Sequence, residues 1–197
     1  MRCPAVFLDR DGVIIRDVDL LVRVDQIELL PGAAAAVRRL RDARLPVVIV
    51  TNQPVVARGF VTEEEVLALE AVIEQRLRDA GAIVDGFYYC PHHPRATLAE
   101  YRLACECRKP RPGMLLRAAR ELALDLGAST MIGDRPSDIA AGQRAGCRTI
   151  LVETGMHAAP RIESLDGPAP PATPDHAVPD LAAAVDIVLG TPAKERA

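Results

Sequence analysis

The sequence predicts an α/β fold, a doubly wound parallel sheet forming one domain with helices on both faces. Three observations predict it. Short apolar runs, PAVFL at 4–8, PVVIV at 46–50, STMIG at 129–133 and CRTILV at 147–152, have the β-branched character of strands buried on both sides. These runs alternate with segments of helical period, the pattern of parallel strands joined by crossover helices. Polar residues gather just past the strands: Asp9 and Asp11 after the first, Thr51 and Asn52 after the second, Asp134 and then Asp138 after STMIG. Ligands of such sheets collect at the carboxyl ends of the strands.

Each element has its own signal. Residues 32–43, GAAAAVRRLRDA, read as a helix with Pro31 at its entry. Thr62, followed by three glutamates, is an N-cap with an acidic first turn, opening a helix to about Ala80, before Gly81. FYYC at 87–90 reads as a short strand, and the Cys- and Pro-rich segment after it fits neither period. Helices are predicted over 113–124, over 136–145 up to Gly146, and near 180–189. The stretch from His157 to Pro174, rich in Pro and Ala, reads as a long surface loop.

The chain of 197 residues suits one compact domain, predicted over 1–190 with 191–197 as a flexible tail. Aromatics make up 3% with no Trp, which argues against a stacking platform for single-stranded nucleic acid. A net charge of −3 leaves no basic footprint for nucleic acid over the whole chain. No apolar run is long enough to span a bilayer, and MRCPAVFLDRDG lacks the core of a signal peptide. A cytoplasmic monomer is expected, with no nucleic-acid or membrane partner.

FLDRDGV places two carboxylates two residues apart at a strand end, with Gly12 allowing a sharp turn. Asp9 can attack phosphorus and form an aspartyl phosphate. Asp11 can protonate the leaving oxygen and then deprotonate water. Such crowded negative charge needs a cation; Asp134 adds an oxygen ligand, and an all-oxygen set favours Mg²⁺. Thr51 and Asn52 offer donors to phosphoryl oxygens and Lys109 a positive charge, matching the charge that spreads in phosphoryl transfer. Asp138 lies four residues after Asp134, where plain helix capping would also explain it.

These residues form a recognisable set. DRDGV, the Thr of TNQ, the Lys of CRKP, and GDRPSD match the four signature motifs of the haloacid dehalogenase (HAD) superfamily of phosphohydrolases, which the chain resembles over nearly its whole length. The resemblance implies a Rossmann-like single core without a separate cap domain. It implies Asp9 as nucleophile and Asp11 as acid and base, with Mg²⁺ on the Asp9 carboxylate, the Asp11 backbone carbonyl and Asp134. Lys109 would neutralise nucleophile and phosphate, and Asp138 would support the metal and lysine. Members that cleave carbon–halogen bonds lack the second Asp, so Asp11 argues for phosphate.

A second constellation lies in YYCPHHP and CECRKPRPGM: Cys-x-His, twelve intervening residues, then Cys-x-Cys. Clustered cysteines in a reducing compartment read as metal ligands, and three thiolates with an imidazole make a tetrahedral Zn²⁺ site. From the residues alone His93 competes with His92. With this loop, at about 90–108, the chain resembles the group of heptose 1,7-bisphosphate 7-phosphatases and histidinol-phosphate phosphatase domains. That pattern implies Cys90, His92, Cys105 and Cys107 around a structural zinc. It implies a small phosphorylated sugar as substrate: Arg108 on a distal phosphate, the loop from Gln53 to Arg58 along the sugar, and Asn52 and Lys109 at the reacting phosphate. Pro54 and Val55 stand where that group commonly has Ser-Gly. Histidinol phosphate is the main alternative substrate. A phospho-receiver signalling domain, the non-enzyme alternative, would use the Asp, Thr and Lys but leave Asp11 and the cysteines without a role.

Overall fold

The structure, a computed structural model, describes residues 2–155 and 172–190. Its elements in chain order are β1 (Val6–Leu8), α1 (Ala33–Asp42), β2 (Val47–Asn52), α2 (Pro54–Ala57), α3 (Glu63–Asp79), β3 (Gly86–Cys90), α4 (Gly113–Glu121), β4 (Thr130–Gly133), α5 (Pro136–Ala145), β5 (Arg148–Val152), β6 (His176–Val178) and α6 (Leu181–Leu189). The six strands form one sheet in the order β3-β2-β1-β4-β5-β6, all parallel. The chain winds outward from β1 to β3, returns to β4 and winds outward the other way. The reversal falls between β1 and β4, which opens a crevice at their carboxyl ends.

Alternation along the strands builds two core layers. Val6, Leu8, Val47, Ile49 and Ile132 face a layer with Val37 and Leu40 of α1, Ile73 and Leu77 of α3, and Ala184 of α6. Phe7, Val48, Val50 and Met131 face the opposite layer, with Met114, Leu115 and Ala118 of α4 and Ala141 of α5. The helices carry matching stripes, Ala33, Ala36, Val37 and Leu40 on α1 being spaced for one face. α3 opens on a full capping box: Glu65 N–H donates to Thr62 Oγ1 at 3.2 Å, and Thr62 N–H donates to the Glu65 carboxylate at 2.7 Å.

The expected helix at 113–124 ends at Glu121, and Ala123 beyond it takes a positive φ of 53°. Two elements go beyond expectation. The loop after β2 contains α2, where Pro54 sits at the first helical position. β6 is three residues long, too short for its sequence to show a period. Residues 157–171 of the expected surface loop, and the tail at 191–197, lie outside the described residues. No described helix is long and apolar enough to cross a membrane.

Packing is close where α5 crosses the sheet. A Cβ on Gly142 would lie 2.7 Å from Met131 Cβ and 2.8 Å from Thr149 Cγ2, atoms that cannot swing aside. Gly142→Val is therefore expected to lower stability by about 1–3 kcal/mol. An unchanged urea-unfolding midpoint would show that α5 can lift freely from the strands.

Candidate active site and metal centre

The register sets Asp9 at the crevice. Leu8 lies opposite Ile49 of β2 and Ile132 of β4, so the next residue emerges between the ends of both neighbours. The Asp9 N–H donates to the Ile132 carbonyl at 3.0 Å, fixing its backbone as the last rung of the ladder. The turn that follows is closed by the Arg10 carbonyl, which accepts from Ile14 at 2.9 Å and Ile15 at 3.1 Å.

Lys109 arrives from the segment before α4. Its ammonium lies 2.9 Å from Asp9 Oδ1 and 2.7 Å from Asp138 Oδ1, and donates to the Val50 carbonyl at 2.8 Å. Burial opposes the charge on Lys109, but Asp138 and Asp9 outweigh it and hold the group above the ordinary lysine range. Asn52 fixes the lysine backbone from both sides: Nδ2 donates to the Lys109 carbonyl and Oδ1 accepts from its N–H, each at 3.0 Å. Asp138 also caps α5 by accepting from the Arg135 N–H at 3.0 Å, so capping and lysine binding coexist in one side chain.

Asp9, Asp134 and Asp138 each bring a carboxylate oxygen within 4.8 Å of the others, all three buried. Burial pushes Asp9 up, and Lys109 pulls it down without cancelling that effect. Asp134 is raised much further, by burial first and then by Asp9 and Asp138. Neither Asp134 oxygen has a hydrogen-bond partner among the described residues. Gly12 and Gly155 let the backbone close around this carboxylate: added Cβ atoms would stand 2.8 Å and 2.0 Å from Asp134 Oδ2, and Gly12 has φ +80°. Three carboxylates face the Lys109 ammonium and an Arg135 guanidinium 3.6 Å from Asp134 Oδ2 that is shared with Asp17, which leaves negative charge in excess. A divalent cation with a preference for oxygen fits this set.

Asp11 is held apart from that cluster. Both its oxygens accept from Arg10 Nη2, at 2.9 and 2.8 Å, and Oδ2 also accepts from Gln53 Nε2 at 2.9 Å. The same Gln53 amide donates to Thr51 Oγ1 at 2.9 Å. Asn52 and Gln53, expected along the substrate, hydrogen-bond to Lys109, Asp11 and Thr51. Two further charged side chains at the site carry no local signal in the sequence: Arg10, buried and paired with Glu70 of α3, and Arg135, which donates to Asp17 at 2.9 Å.

A short distance along the chain the cysteine loop closes on itself. Cys107 Sγ lies 3.1 Å from both Cys90 Sγ and Cys105 Sγ, Cys90 lies 3.4 Å from Cys105, and His92 Nδ1 lies 3.4 Å from Cys107. These separations are too long for disulfides and short enough for one ion to touch all four groups. Cys107 is pulled down to about 5 by the Cys90 thiol first and by Cys105 and His92, while the same contact and burial push Cys90 up. His93 is turned elsewhere: its Nδ1 accepts from the Arg95 N–H at 3.0 Å. Glu63, at the start of α3, accepts from Tyr89 OH at 2.6 Å and Tyr101 OH at 2.9 Å, tying the loop to the helix.

The comparisons agree with this geometry. Residues 6–76 match the family model "Haloacid dehalogenase-like hydrolase", and residues 106–184 the model "HAD-hyrolase-like". D-glycero-beta-D-manno-heptose-1,7-bisphosphate 7-phosphatase of Yersinia pestis is 44% identical over 77% of this chain and 81% of its own. The enzyme of the same name from Photorhabdus laumondii is 46% identical over the same shares. The crystal structure of D,D-heptose 1,7-bisphosphate phosphatase from B. bronchiseptica, complexed with magnesium and phosphate, superposes with a TM-score of 0.78 at 35% identity, over 95% of this chain and 98% of that one. The chain belongs to the haloacid dehalogenase-like hydrolases.

In this hydrolase three arginines near the cysteine loop and α2 differ in their engagements. Arg108 Nη1 donates to the His92 carbonyl at 3.2 Å, which fastens it to the cysteine loop beside Lys109. Arg111 spans the outside of the loop, donating to the carbonyls of Ala104 and Cys105 at 3.1 Å. Arg58 caps the end of α2. The donor set of the loop predicts about one zinc ion per chain by elemental analysis of the purified hydrolase. Cys105→Ser is expected to lower both zinc content and melting temperature. A metal-free wild-type protein with full thermal stability would refute the site.

Proposed function

We propose that this hydrolase removes the phosphate at carbon 7 of D-glycero-D-manno-heptose 1,7-bisphosphate, giving heptose 1-phosphate and inorganic phosphate through a phosphoryl group carried on Asp9. The observation that carries the reading is the buried Lys109 ammonium, which holds Asp9 at the crevice among three carboxylates. The relatives' names supply the sugar, and those of Yersinia and Photorhabdus specify the β anomer, which the proposal adopts.

A magnesium ion would be held by the Asp9 carboxylate, the Asp11 carbonyl and Asp134, and would supply positive charge to the phosphoryl oxygens. The remaining chemistry falls to side chains. An Asp9 oxygen attacks phosphorus in line with the leaving sugar oxygen. That oxygen leaves with its electron pair and takes a proton from Asp11. Asp11, now a carboxylate, takes a proton from the water that attacks the phosphoryl group and frees Asp9. Lys109 offsets the charge on Asp9 and the phosphate, held by Asp138 and by Asn52. Thr51 presents its hydroxyl to a phosphoryl oxygen. Gln53 keeps Thr51 and Asp11 in register.

Zinc in the cysteine loop is structural in this reading: four protein ligands fill a tetrahedron and leave no position for substrate. Cys107 stands two residues before Lys109, so the metal fixes the segment that delivers the lysine. Thiols kept reduced for a metal suit a cytoplasmic enzyme. Arg108 holds the distal phosphate, and Arg58 lies along the sugar.

Phosphate release measured over sugar bisphosphates, sugar monophosphates and histidinol phosphate tests the proposal. The heptose 1,7-bisphosphate is expected to have the highest kcat/KM, and Asp9→Asn, which remains folded, to abolish release from every ester. A wild-type preference for histidinol phosphate would overturn the substrate; near-normal turnover by Asp9→Asn would overturn the mechanism. Losing a charge-assisted contact costs about 1.5–3 kcal/mol, about ten- to a hundredfold in binding. Arg108→Ala is accordingly expected to weaken use of the bisphosphate by that factor and to spare a small monophosphate. Equal losses on both would remove Arg108 from the distal phosphate.

A further inference from the structure

The buried face of α3 consists of Val66, Leu69, Glu70, Ile73 and Leu77. Four of these are apolar and belong there by helical spacing; the fifth is a glutamate only 3% exposed. Glu70 reaches neither solvent nor a helix end. One carboxylate oxygen accepts from Arg10 Nη1, and the other has no hydrogen-bond partner among the described residues. Burial lifts Glu70 to about 7 against the pull of Arg10. Arg10 is equally buried, and its guanidinium is divided: Nη1 serves Glu70, while Nη2 and Nε serve Asp11.

A buried charge pair is a poor way to gain stability, because removing both ions from water offsets most of their attraction; apolar side chains of similar volume commonly do as well or better. At position 70 a leucine would complete the stripe. What it would not do is hold the far end of a planar fork whose near end lies on Asp11. Arg10 adjoins Asp11 in the chain, and without a second anchor its long side chain would have several rotamers to choose from. Glu70, sixty residues on, selects one.

The geometry points to Glu70 as a positioning residue for the proton-transfer step: through Arg10 it fixes the location and plane of the Asp11 carboxyl relative to the leaving oxygen. This rests on the reading of Asp11 as the acid that protonates the departing sugar. Proton transfer requires hydrogen-bond reach between donor and acceptor, and a misplacement of about 1 Å costs up to about a hundredfold. Glu70 touches neither substrate nor metal in this scheme, so its effect is confined to steps in which Asp11 moves a proton.

Two esters separate these possibilities. In each, a bond forms between Asp9 and phosphorus and the bond from phosphorus to the leaving oxygen breaks. A sugar or other alkyl phosphate releases an alkoxide that must take a proton from Asp11 as it leaves with its electron pair. p-Nitrophenyl phosphate releases a phenolate that leaves with the electron pair alone. The ratio kcat/KM covers the reaction up to that departure and omits the later attack by water. Glu70→Gln, which keeps the shape and removes the charge, is expected to lower kcat/KM for the alkyl ester about ten- to a hundredfold. For the aryl ester the change should stay within about twofold, since no general acid assists that departure.

Equal loss on both esters, including loss through unfolding, would assign Glu70 to stability and overturn the inference; undiminished alkyl turnover would do the same. Asp11→Asn, measured alongside, keeps the two levels apart. If Asp11→Asn spares the alkyl ester or weakens both alike, the acid–base reading of Asp11 fails. If Asp11→Asn splits the esters and Glu70→Gln does not, only the role of Glu70 fails.

Discussion

One buried ammonium organises the site. Lys109 lies within 3 Å of two carboxylates and a backbone carbonyl, each from a different part of the sheet: Asp9 after β1, Asp138 on α5 and Val50 in β2. At an effective dielectric constant near 20, each ion contact at such a distance contributes on the order of 5 kcal/mol. The effective penalty for burying an ion is several kcal/mol, so two carboxylates suffice to keep the lysine charged where one would be marginal. The strand order makes this meeting possible. At the reversal between β1 and β4 the ends of β2, β1 and β4 stand side by side and open a crevice.

The segment carrying Lys109 has no strand or helix of its own from Cys105 to Pro112 and needs other restraints. It has two. The Asn52 amide pairs with the lysine backbone as a neighbouring strand would, and the cysteine loop gathers four side chains that could hold a metal ion immediately before it. Tyr89 and Tyr101 extend the anchorage to Glu63 at the head of α3. The same helix carries Glu70 on its buried face. Asp11 and the lysine loop are thereby referred to one rigid element, although neither lies on it.

Much of this was legible in the sequence because the signals were local. Buried strands announce themselves as short Val- and Ile-rich runs, Thr62 with its glutamates marks the start of α3, and Gly146 marks the end of α5. The carboxylates, Thr51 and Lys109 stood out as polar residues just past strands or in an irregular segment. The His93 alternative needed three dimensions to resolve, since two adjacent histidines have the same spacing to within one residue and only the fold shows which ring faces the sulfurs. The hydrogen bonds of Asn52 to Lys109 and of Gln53 to Asp11 join residues 57 and 42 apart and leave no trace in local sequence. β6 and α2 were too short to show a period. Glu70 did leave a trace: it is the one charged residue in the apolar stripe of α3, and such an interruption identifies a buried polar group before its partner is known.

The central claim is that Asp9 carries the phosphoryl group between sugar and water. Two in-line displacements, one by Asp9 and one by water, each invert phosphorus, so the account predicts net retention of configuration. The direct measurement is the stereochemical course of hydrolysis, in 17O-labelled water, of a phosphorothioate ester made chiral at phosphorus with sulfur and 18O. Retention in the released inorganic thiophosphate is the predicted result. Net inversion would mean a single attack by water with no covalent stage, and would contradict the account whatever the substrate.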